Sequence, residues 1–259
     1  MPLASFAKEY RALERERREI FELSVVQEPR LIAAQTFEVV LARPHRDFTF
    51  HAGQSMKFFP NESYGASFSL VSAPHDEHLV FAFRDSKTAL KSRMRNIRAG
   101  ERVPVRDVKR VNDTFHYPSD DEANVPIVMI AGGIGVTPFM SMLRQALHLN
   151  DTRPFTLITS NPEETHIPYM NELQTLENNG RLTHRKFLTG EVKEGYMHGR
   201  FTRSDLESFW REPQPLFYIA GPVLMVEETV AHLASIGVPE TRIRAKRFKG
   251  YTGTDDIRD

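Results

Sequence analysis

The stretch Val128–Leu147, which reads VMIAGGIGVTPFMSMLRQAL, holds the residue types and spacing best suited to chemistry in this chain. A short apolar run leads into Gly132, Gly133 and Gly135, and a helical pattern follows directly. Glycines here let the backbone approach a ligand and tolerate a positive φ. The N–H groups and positive dipole end of the following helix suit a pyrophosphate. The pattern therefore predicts a dinucleotide site, although a tight turn without a ligand would also use glycines.

Strands and helices alternate after residue 124, and this alternation predicts a parallel sheet with crossover helices. The run Pro126–Ala131 is purely apolar, as is typical of a strand buried on both faces. The other predicted strands cover 155–159, 182–188, 216–220 and 242–247, and the predicted helices cover 137–149, 167–178, 203–210 and 223–236.

The preceding part of the chain predicts an antiparallel barrel or sandwich, because short strands rich in Val, Phe and Leu follow one another between turn residues. A helix over Ala89–Arg98 interrupts them, with Thr88 or Ser86 as its cap and Gly100 at its end. The predicted strands cover 21–26, 36–41, 55–59, 68–72, 79–84 and 102–105, with turns at Glu28-Pro29, Arg43-Pro44 and Ala73-Pro74.

Four regions follow from these patterns. We expect a charged N-terminal extension over 1–19, a strand-rich domain over 20–111, a polar linker over 112–124 and an α/β domain over 125–259. The N-terminus has no apolar leader and no stretch approaches 18 apolar residues, so we expect a cytoplasmic protein without a membrane span.

Composition excludes several classes of function. Lys plus Arg and Asp plus Glu both number 34, a balance that does not favour nucleic-acid binding. The chain has no cysteine, so disulfides, thiolate nucleophiles and cysteine-ligated zinc or iron–sulfur clusters are excluded. His75 and His78 have metal-like spacing but lie in a turn, and we expect no metal site.

Gly-Gly-Ile-Gly-Val-Thr-Pro-Phe at 132–139 closely resembles the nucleotide-binding turn of the ferredoxin–NADP reductase superfamily. The resemblance covers roughly residues 20 to 251 and is specific to the superfamily rather than to one member. Further segments match in the same order: HAGQSMKFF at 51–59, SFSLVSAP at 67–74, Ser160-Asn161, His198-Gly199-Arg200, Ala220-Gly221-Pro222 with Met225, and Phe248-Lys249-Gly250-Tyr251.

The resemblance implies an antiparallel β-barrel flavin domain followed by an α/β parallel-sheet nucleotide-binding domain. It implies an NAD(P)H-dependent flavoprotein reductase that moves a hydride from NADH or NADPH to FAD, in preference to FMN. Electrons would then pass to a separate acceptor, either a protein such as a ferredoxin or an oxygenase component, or a small molecule such as free flavin. The alternative is a degenerate reductase-like module that acts as a binding or regulatory subunit.

The resemblance also assigns roles to residues of the barrel. Ser69 would lie near the flavin N5 as a catalytic residue, and the segment Ser86–Lys91 would face the flavin pyrophosphate. For Phe68 and Leu70 the alternative is plain barrel core. The expected flavin-binding residues are Phe68, Leu70, Ser72, Phe83, Arg84, Thr88, Ala89 and Lys91.

In the second domain the resemblance places Thr137 close to the nicotinamide as a catalytic residue. We expect Gly135→Val to impair nicotinamide use without unfolding the protein, because the side chain would occupy space that the dinucleotide needs. The other expected cofactor-binding residues are Gly132, Gly133, Gly135, Ser160, Asn161, Gly221, Pro222, Phe248 and Tyr251.

Two features of this sequence depart from the superfamily pattern for flavin binding. The arginine that meets the flavin pyrophosphate falls on Ala66, a loss of about 1.5–3 kcal/mol for which Lys57, Arg84 or Lys91 could substitute. The superfamily's glycine-rich segment before the linker is replaced by RDVKRVNDTF at 106–115.

After Asn161 the chain reads Pro-Glu-Glu, which favours NADH because carboxylates repel a 2′-phosphate. We expect Lys246, Arg247 and Lys249 to form a solvated face, and the alternatives are contact with a 2′-phosphate or with an acidic protein partner.

Overall fold

The computed structural model describes residues 20–61, 64–86, 88–107, 115–119, 122, 124–211 and 213–249. The predicted N-terminal extension, Tyr251 and six of the 13 residues of the predicted linker lie outside these residues, so the domain boundaries stay a prediction. No helix in the described part of the chain is long and apolar enough to cross a bilayer.

Six antiparallel strands form the first sheet, in the order β4-β3-β6-β1-β2-β5. A bridge between Leu70 and Phe81 connects its two edge strands, so the sheet closes into a barrel. The strands are β1 (Ile20–Ala33), β2 (Thr36–Ala42), β3 (Ser55–Asn61), β4 (Tyr64–Ser69), β5 (His78–Arg84) and β6 (Arg102–Asp107).

Alternate residues of these strands fill the barrel interior, because successive side chains of a strand point to opposite faces. Helix α1 (Ala89–Arg95) adds the buried Leu90 and Met94 to this core, and Thr88 caps it as predicted. The predicted turn at Glu28-Pro29 is wrong: β1 continues through both residues. Register shifts occur on either side, and irregular pairing tolerates a proline that cannot donate to the ladder.

Six strands form the second sheet, in the order β10-β9-β8-β7-β11-β12, and the paired strands are parallel. All six residues of β7 are buried because core clusters cover both faces of the sheet. The strands are β7 (Ile127–Gly132), β8 (Phe155–Asn161), β9 (Thr183–Leu188), β10 (Met197–His198), β11 (Leu216–Pro222) and β12 (Ile243–Phe248). The helices are α2 (Thr137–His148), α3 (Met170–Asn178), α4 (Arg203–Glu207) and α5 (Val223–Ser235).

The predicted fold class, an antiparallel barrel followed by an α/β parallel-sheet domain, is confirmed. The largest difference in boundaries is β1, which ends at Ala33 rather than at residue 26. Among the helices, α3 begins at Met170 rather than at residue 167. Pro168 lies within the predicted first turn, and Tyr169 has a left-handed φ of 61°, which a helix cannot contain.

Polar contacts join the barrel to the α/β domain. Ser141 of α2 donates to the carbonyl of Ser72 at 2.7 Å and accepts from the N–H of Gly53 at 3.3 Å. Lys246 of β12 donates from Nζ to the carbonyl of Gly53 at 2.8 Å. Arg144 of α2 donates to the carbonyl of Val71 at 3.3 Å. The two halves of the chain are therefore held in a defined relation.

Candidate functional site

The carboxyl ends of the parallel strands bring most of the second set of predicted residues together. Gly132 ends β7 and pairs with Ser160 of β8, while Pro222 ends β11 and pairs with Phe248 of β12. The chain adds β8, β9 and β10 in turn on one side of β7 and then crosses back to place β11 and β12 on its other side, so the strand order reverses beside β7. Such a switch point is where open α/β sheets bind ligands.

The four glycines of this edge have different roles. A Cβ on Gly132 would lie 2.8 Å from Pro222 Cδ, and one on Gly221 would lie 3.0 Å from the nitrogen of Gly132. A Cβ on Gly135 would lie 2.0 Å from the carbonyl oxygen of Ala220. These three glycines therefore let the strand ends and the turn pack closely.

Gly133 is the glycine that faces open space. Its φ is 52°, and a Cβ there would meet no described atom within 4 Å. It begins a short 3-10 turn, Gly133–Val136, which leads into α2, and neither element has a side-chain cap. N–H groups at such an end need a partner from outside the helix. Gly133 is thus where a ligand can approach the backbone.

Thr137 stands at the start of α2 and is 1% exposed. Its hydroxyl donates to the carbonyl of Ile134 at 3.0 Å, so it stabilises the glycine turn. Direct contact with the nicotinamide, as the resemblance implies, stays a prediction.

Asn161 carries the clearest sign of a missing partner. It ends β8 and is 2% exposed, yet neither amide atom of its side chain has a hydrogen-bond partner in the described structure. A buried polar group in this state costs about 1–3 kcal/mol unless something binds it. A ligand with polar groups at the carboxyl edge would provide that partner.

The acidic loop after Asn161 is partly neutralised by the protein itself. Lys193 and Tyr196 both donate to the carboxylate of Glu164, and the Lys193 bond followed by the Tyr196 bond lowers the pKa of Glu164. Glu163 is half-exposed and lies 3.8 Å from His166. Its carboxylate also accepts a hydrogen bond from Thr165 Oγ1 at 3.4 Å, and a contact between Glu163 and a ribose stays a prediction.

In the barrel, the strand register decides which predicted residues face outward. Phe68 pairs with Met56 and Ala66 pairs with Phe58, and these side chains belong to the barrel core. Phe83 and Leu70 are 1% and 0% exposed in the same core. The structure thus corresponds to the core alternative for Phe68 and Leu70, and it places Phe83 there too.

Ser69 lies on the opposite face of β4 from Phe68 and is 5% exposed, and its hydroxyl lies 3.4 Å from that of Ser55. Ser72 already has protein partners, since its hydroxyl accepts from the N–H of Val80 at 3.0 Å and its carbonyl from Ser141. Ser72 therefore joins the barrel to the α/β domain, and Ser69 is the predicted residue of this strand that faces outward.

Around α1 the predicted residues are exposed or already bonded. Arg84 is exposed and donates to Gln35 at 3.4 Å. Thr88 Oγ1 accepts from the N–H of Lys91 at 3.3 Å, so one N–H expected to face the pyrophosphate has a partner. Ala89 is exposed at the first position of this seven-residue helix.

Sequence reasoning missed two residues that assemble the site. It assigned no role to Ser141, which binds both Gly53 and Ser72. It read Lys246 as part of a solvated face or a phosphate contact, whereas the ammonium binds Gly53. The helical pattern marks Ser141 as a polar residue among apolar neighbours, but only the fold supplies its partners.

These features fit the two cofactors implied by the resemblance. The open backbone at Gly133 and the unpartnered amide of Asn161 fit a nicotinamide nucleotide. The hydroxyls of Ser69 and Ser55 on the outer face of the barrel offer the hydrogen bonds that a flavin edge needs. In the described residues, no group of three or more metal-ligating side chains gathers.

Sequence comparison finds a matching family model and several similar proteins. Residues 129–231 match the family model described as "Oxidoreductase NAD-binding domain". The chain is 28% identical over 261 residues to "Oxidoreductase NAD-binding domain-containing protein 1" of Xenopus tropicalis, covering 90% of this chain and 81% of that protein. It is 33% identical over 134 residues to a flavohemoprotein of Rhodopirellula baltica, covering 48% of this chain. The chain spans about a third (32%) of the length of that flavohemoprotein.

Two solved structures share the fold. The cytochrome P450 reductase GcoB of Amycolatopsis superposes with a TM-score of 0.77 at 23% identity, over 89% of this chain and 71% of that one. A ferredoxin NADP+ reductase from Neisseria gonorrhoeae with bound FAD and NADP has a TM-score of 0.73 at 16% identity, over 88% of this chain and 98% of that one. The Neisseria structure holds FAD and NADP, the two cofactors that the resemblance implies.

Proposed function

Because the chain carries an oxidoreductase NAD-binding domain on the two-sheet fold of the ferredoxin–NADP reductase-like proteins, we propose that it is an FAD-dependent reductase that oxidises NADH or NADPH. Electrons then leave to a separate acceptor. The absence of cysteine supports a separate acceptor, since this chain cannot ligate an iron–sulfur cluster through thiolates.

The observation that carries this proposal is the carboxyl edge of the parallel sheet. There Gly133, with its open backbone, directly follows β7, and Asn161, with its unpartnered side chain, ends the neighbouring strand β8. The two residues lie at a switch point, and the dipole of α2 favours a phosphate in front of it. A nucleotide diphosphate satisfies both features at once.

This chain's residues would act by binding and orientation, since the cofactors supply the hydride chemistry. Gly133 and Asn161 bind the nucleotide, and Thr137 holds the glycine turn through Ile134. Ser69 presents a hydroxyl to the flavin edge near N5, where a donor favours the charge that develops on reduction. The hydrogen bonds of Ser141 to Ser72 and of Lys246 to Gly53 hold the barrel against the α/β domain.

The acceptor is a small molecule or a partner protein. A cytochrome P450 reductase among the structural neighbours supports a protein acceptor, such as an oxygenase component or a ferredoxin. Free flavin is the small-molecule candidate.

The test is to mix the flavin-bound protein anaerobically with NADH or with NADPH and to measure the rate of flavin reduction by stopped-flow absorbance. We expect Ser69→Ala to slow flavin reduction about tenfold with little change in nucleotide affinity, because one hydrogen bond near N5 is lost. Ser24→Ala is the matched control, since Ser24 lies on β1 beside Arg102, away from β4.

Purified protein that contains no flavin and takes up none would refute the proposal. It would favour the alternative, a degenerate module that binds partners without redox chemistry. Bound flavin that neither nucleotide reduces would also contradict the reductase.

A further inference from the structure

A hairpin turn of the barrel contacts the loop that follows β8. The turn, residues 33–36, connects β1 to β2, and the N–H of Ala34 donates to the carbonyl of Thr165 at 2.8 Å. Thr165 lies in the middle of the nucleotide loop, residues 162–168, which directly follows Asn161. A backbone hydrogen bond therefore joins the barrel to the loop beside a proposed nucleotide-binding residue.

The hairpin turn is itself fixed on the barrel. The hydroxyl of Thr36 donates to the carbonyl of Ala34 at 3.2 Å. The N–H of Asp85, which follows β5, donates to the carbonyl of Gln35 at 2.7 Å. Because both carbonyls of the turn are bonded within the barrel, the N–H of Ala34 has a defined direction towards the nucleotide loop.

Hydrogen bonds within the α/β domain fix the shape of the nucleotide loop. The N–H of Gly190 donates to the carbonyl of Pro162 at 2.8 Å, and the N–H of Glu164 donates to the carboxylate of Glu191 at 3.0 Å. These bonds join the loop to the segment after β9. They do not relate the loop to the barrel, so its place against the barrel depends on contacts such as that of Ala34.

The residue that ends the nucleotide loop also lies against the barrel. Tyr169 has a left-handed φ of 61°, and it packs against the same core cluster as Ile32 of β1 and Val80 of β5. Burial, and then the charge of Glu38 on β2, raises the pKa of Tyr169. The loop is therefore close to the barrel both at its middle and at its end.

We propose that the hairpin turn positions the nucleotide loop to bind the adenosine half of the nucleotide, through the N–H of Ala34. This inference rests on the proposed function and on the expected reading of the ribose by this loop. Ala34 is a positioning residue, since it acts through Thr165 rather than on a cofactor. A loop that is already ordered loses less conformational entropy when its ligand binds, so the hydrogen bond strengthens nucleotide binding.

Ala34→Pro removes the N–H and suits the geometry of the turn. Gln35 has a φ of 55° whereas that of Ala34 is not positive, as in a type II turn, where proline is common at the first central position. Ala33 ends β1, and extended backbone is what a following proline favours. Ala34→Ser is the matched control, because it keeps the N–H.

The experiment uses the full chain with bound flavin and two partial nucleotides. Calorimetry measures the dissociation constant of ADP-ribose, which carries the adenosine half without the nicotinamide. Stopped-flow absorbance measures flavin reduction by NADH and by reduced nicotinamide mononucleotide, which lacks the adenosine half.

We expect Ala34→Pro to weaken the binding of ADP-ribose and of NADH about fivefold, the effect of one lost hydrogen bond. The rate of flavin reduction at saturating NADH, the reaction with reduced nicotinamide mononucleotide and the affinity for flavin should not change. Ala34→Ser should match the wild type.

Hydrogen exchange provides a second measurement, which needs no variant. Coupling between two sites is reciprocal, so a ligand of the nucleotide loop should stabilise the bond to Ala34. Saturating ADP-ribose should therefore slow the exchange of the Ala34 amide in the wild type about fivefold.

Four results would overturn the inference. They are unchanged ADP-ribose affinity in a folded Ala34→Pro, equal losses for NADH and reduced nicotinamide mononucleotide, the same loss in Ala34→Ser, and exchange of the Ala34 amide that ADP-ribose does not slow. A wild-type protein whose flavin neither NADH nor NADPH reduces would refute the proposed function instead, so the two failures are distinguishable.

Discussion

Replacing Gly135 with alanine tests the packing of the glycine turn directly. The φ of Gly135 is not positive, so the cost comes from space rather than from backbone strain. The new Cβ would lie 2.0 Å from the carbonyl oxygen and 2.6 Å from the carbonyl carbon of Ala220. Both atoms belong to the backbone of β11, which pairs with β7 and β12 on its two sides, so neither can move without disturbing the sheet.

Overpacking of this kind costs about 1–3 kcal/mol, and a backbone obstacle favours the upper end. For a chain of this size about 3 kcal/mol corresponds to a fall in Tm of about 6–12 °C. The expectation that Gly135→Val leaves the fold intact is therefore wrong: valine adds two further methyl groups to a position where the first carbon already overlaps β11.

Gly133→Asn is the matched control within the same turn. Asparagine tolerates the φ of 52°, and its side chain enters open space, so we expect a loss of stability below about 1 kcal/mol. The same side chain would obstruct the nucleotide, so the KM for NADH should rise about tenfold or more while the flavin stays bound.

Thermal unfolding of both variants and of the wild type, with the flavin bound, separates the two roles. A Tm for Gly135→Ala within about 2 °C of the wild type would refute the packing argument. An unchanged KM in a folded Gly133→Asn would refute the nucleotide site at this turn.

Three further predictions concern the neighbouring strands. Burial, followed by the charge of Lys186, lowers the pKa of His184 to about 3, below its ordinary 6.5. Below pH 6.5 the unfolded chain binds a proton that the folded chain excludes, so the free energy of unfolding is highest above pH 6.5 and falls towards pH 3. Denaturant titrations should show a decrease of about 2 kcal/mol in the free energy of unfolding between pH 7 and pH 5. This decrease should vanish in His184→Gln. Asn161→Leu should stabilise the nucleotide-free protein by about 1 kcal/mol and weaken NADH binding, whereas equal affinity would contradict its role as a ligand. Finally, kcat/KM should be higher for NADH than for NADPH, and Glu163→Arg should lower the ratio of kcat/KM for NADH to kcat/KM for NADPH. A higher kcat/KM for NADPH in the wild type would overturn this preference.

Much of the fold could be predicted because its signals are local. The apolar run of β7 is buried on both faces, and the alternation after residue 124 gives the parallel sheet. Errors arose where tertiary contacts override local preference. Pro29 lies within a strand because irregular pairing accommodates it, and α3 begins late because Tyr169 adopts a left-handed φ.

The orientation of the barrel residues could not be predicted from the sequence. A shift of one residue in register exchanges the two faces of a strand, and nothing local distinguishes the faces of SFSLVSAP. The pairings of Phe68 with Met56 and of Ser69 with Ser55 resolve this, placing the phenyl ring inside and the hydroxyl outside.

By itself the sequence determined the order of the elements, the glycine turn before α2 and the class of protein, because each of these depends on residues that are close together in the chain. Only the tertiary structure decided that Gly135 packs against Ala220 while Gly133 faces open space. It likewise assigned the ammonium of Lys246 to Gly53, across 193 residues of sequence. Such contacts depend on where separate strands meet, and that position results from the packing of both sheets rather than from any local pattern.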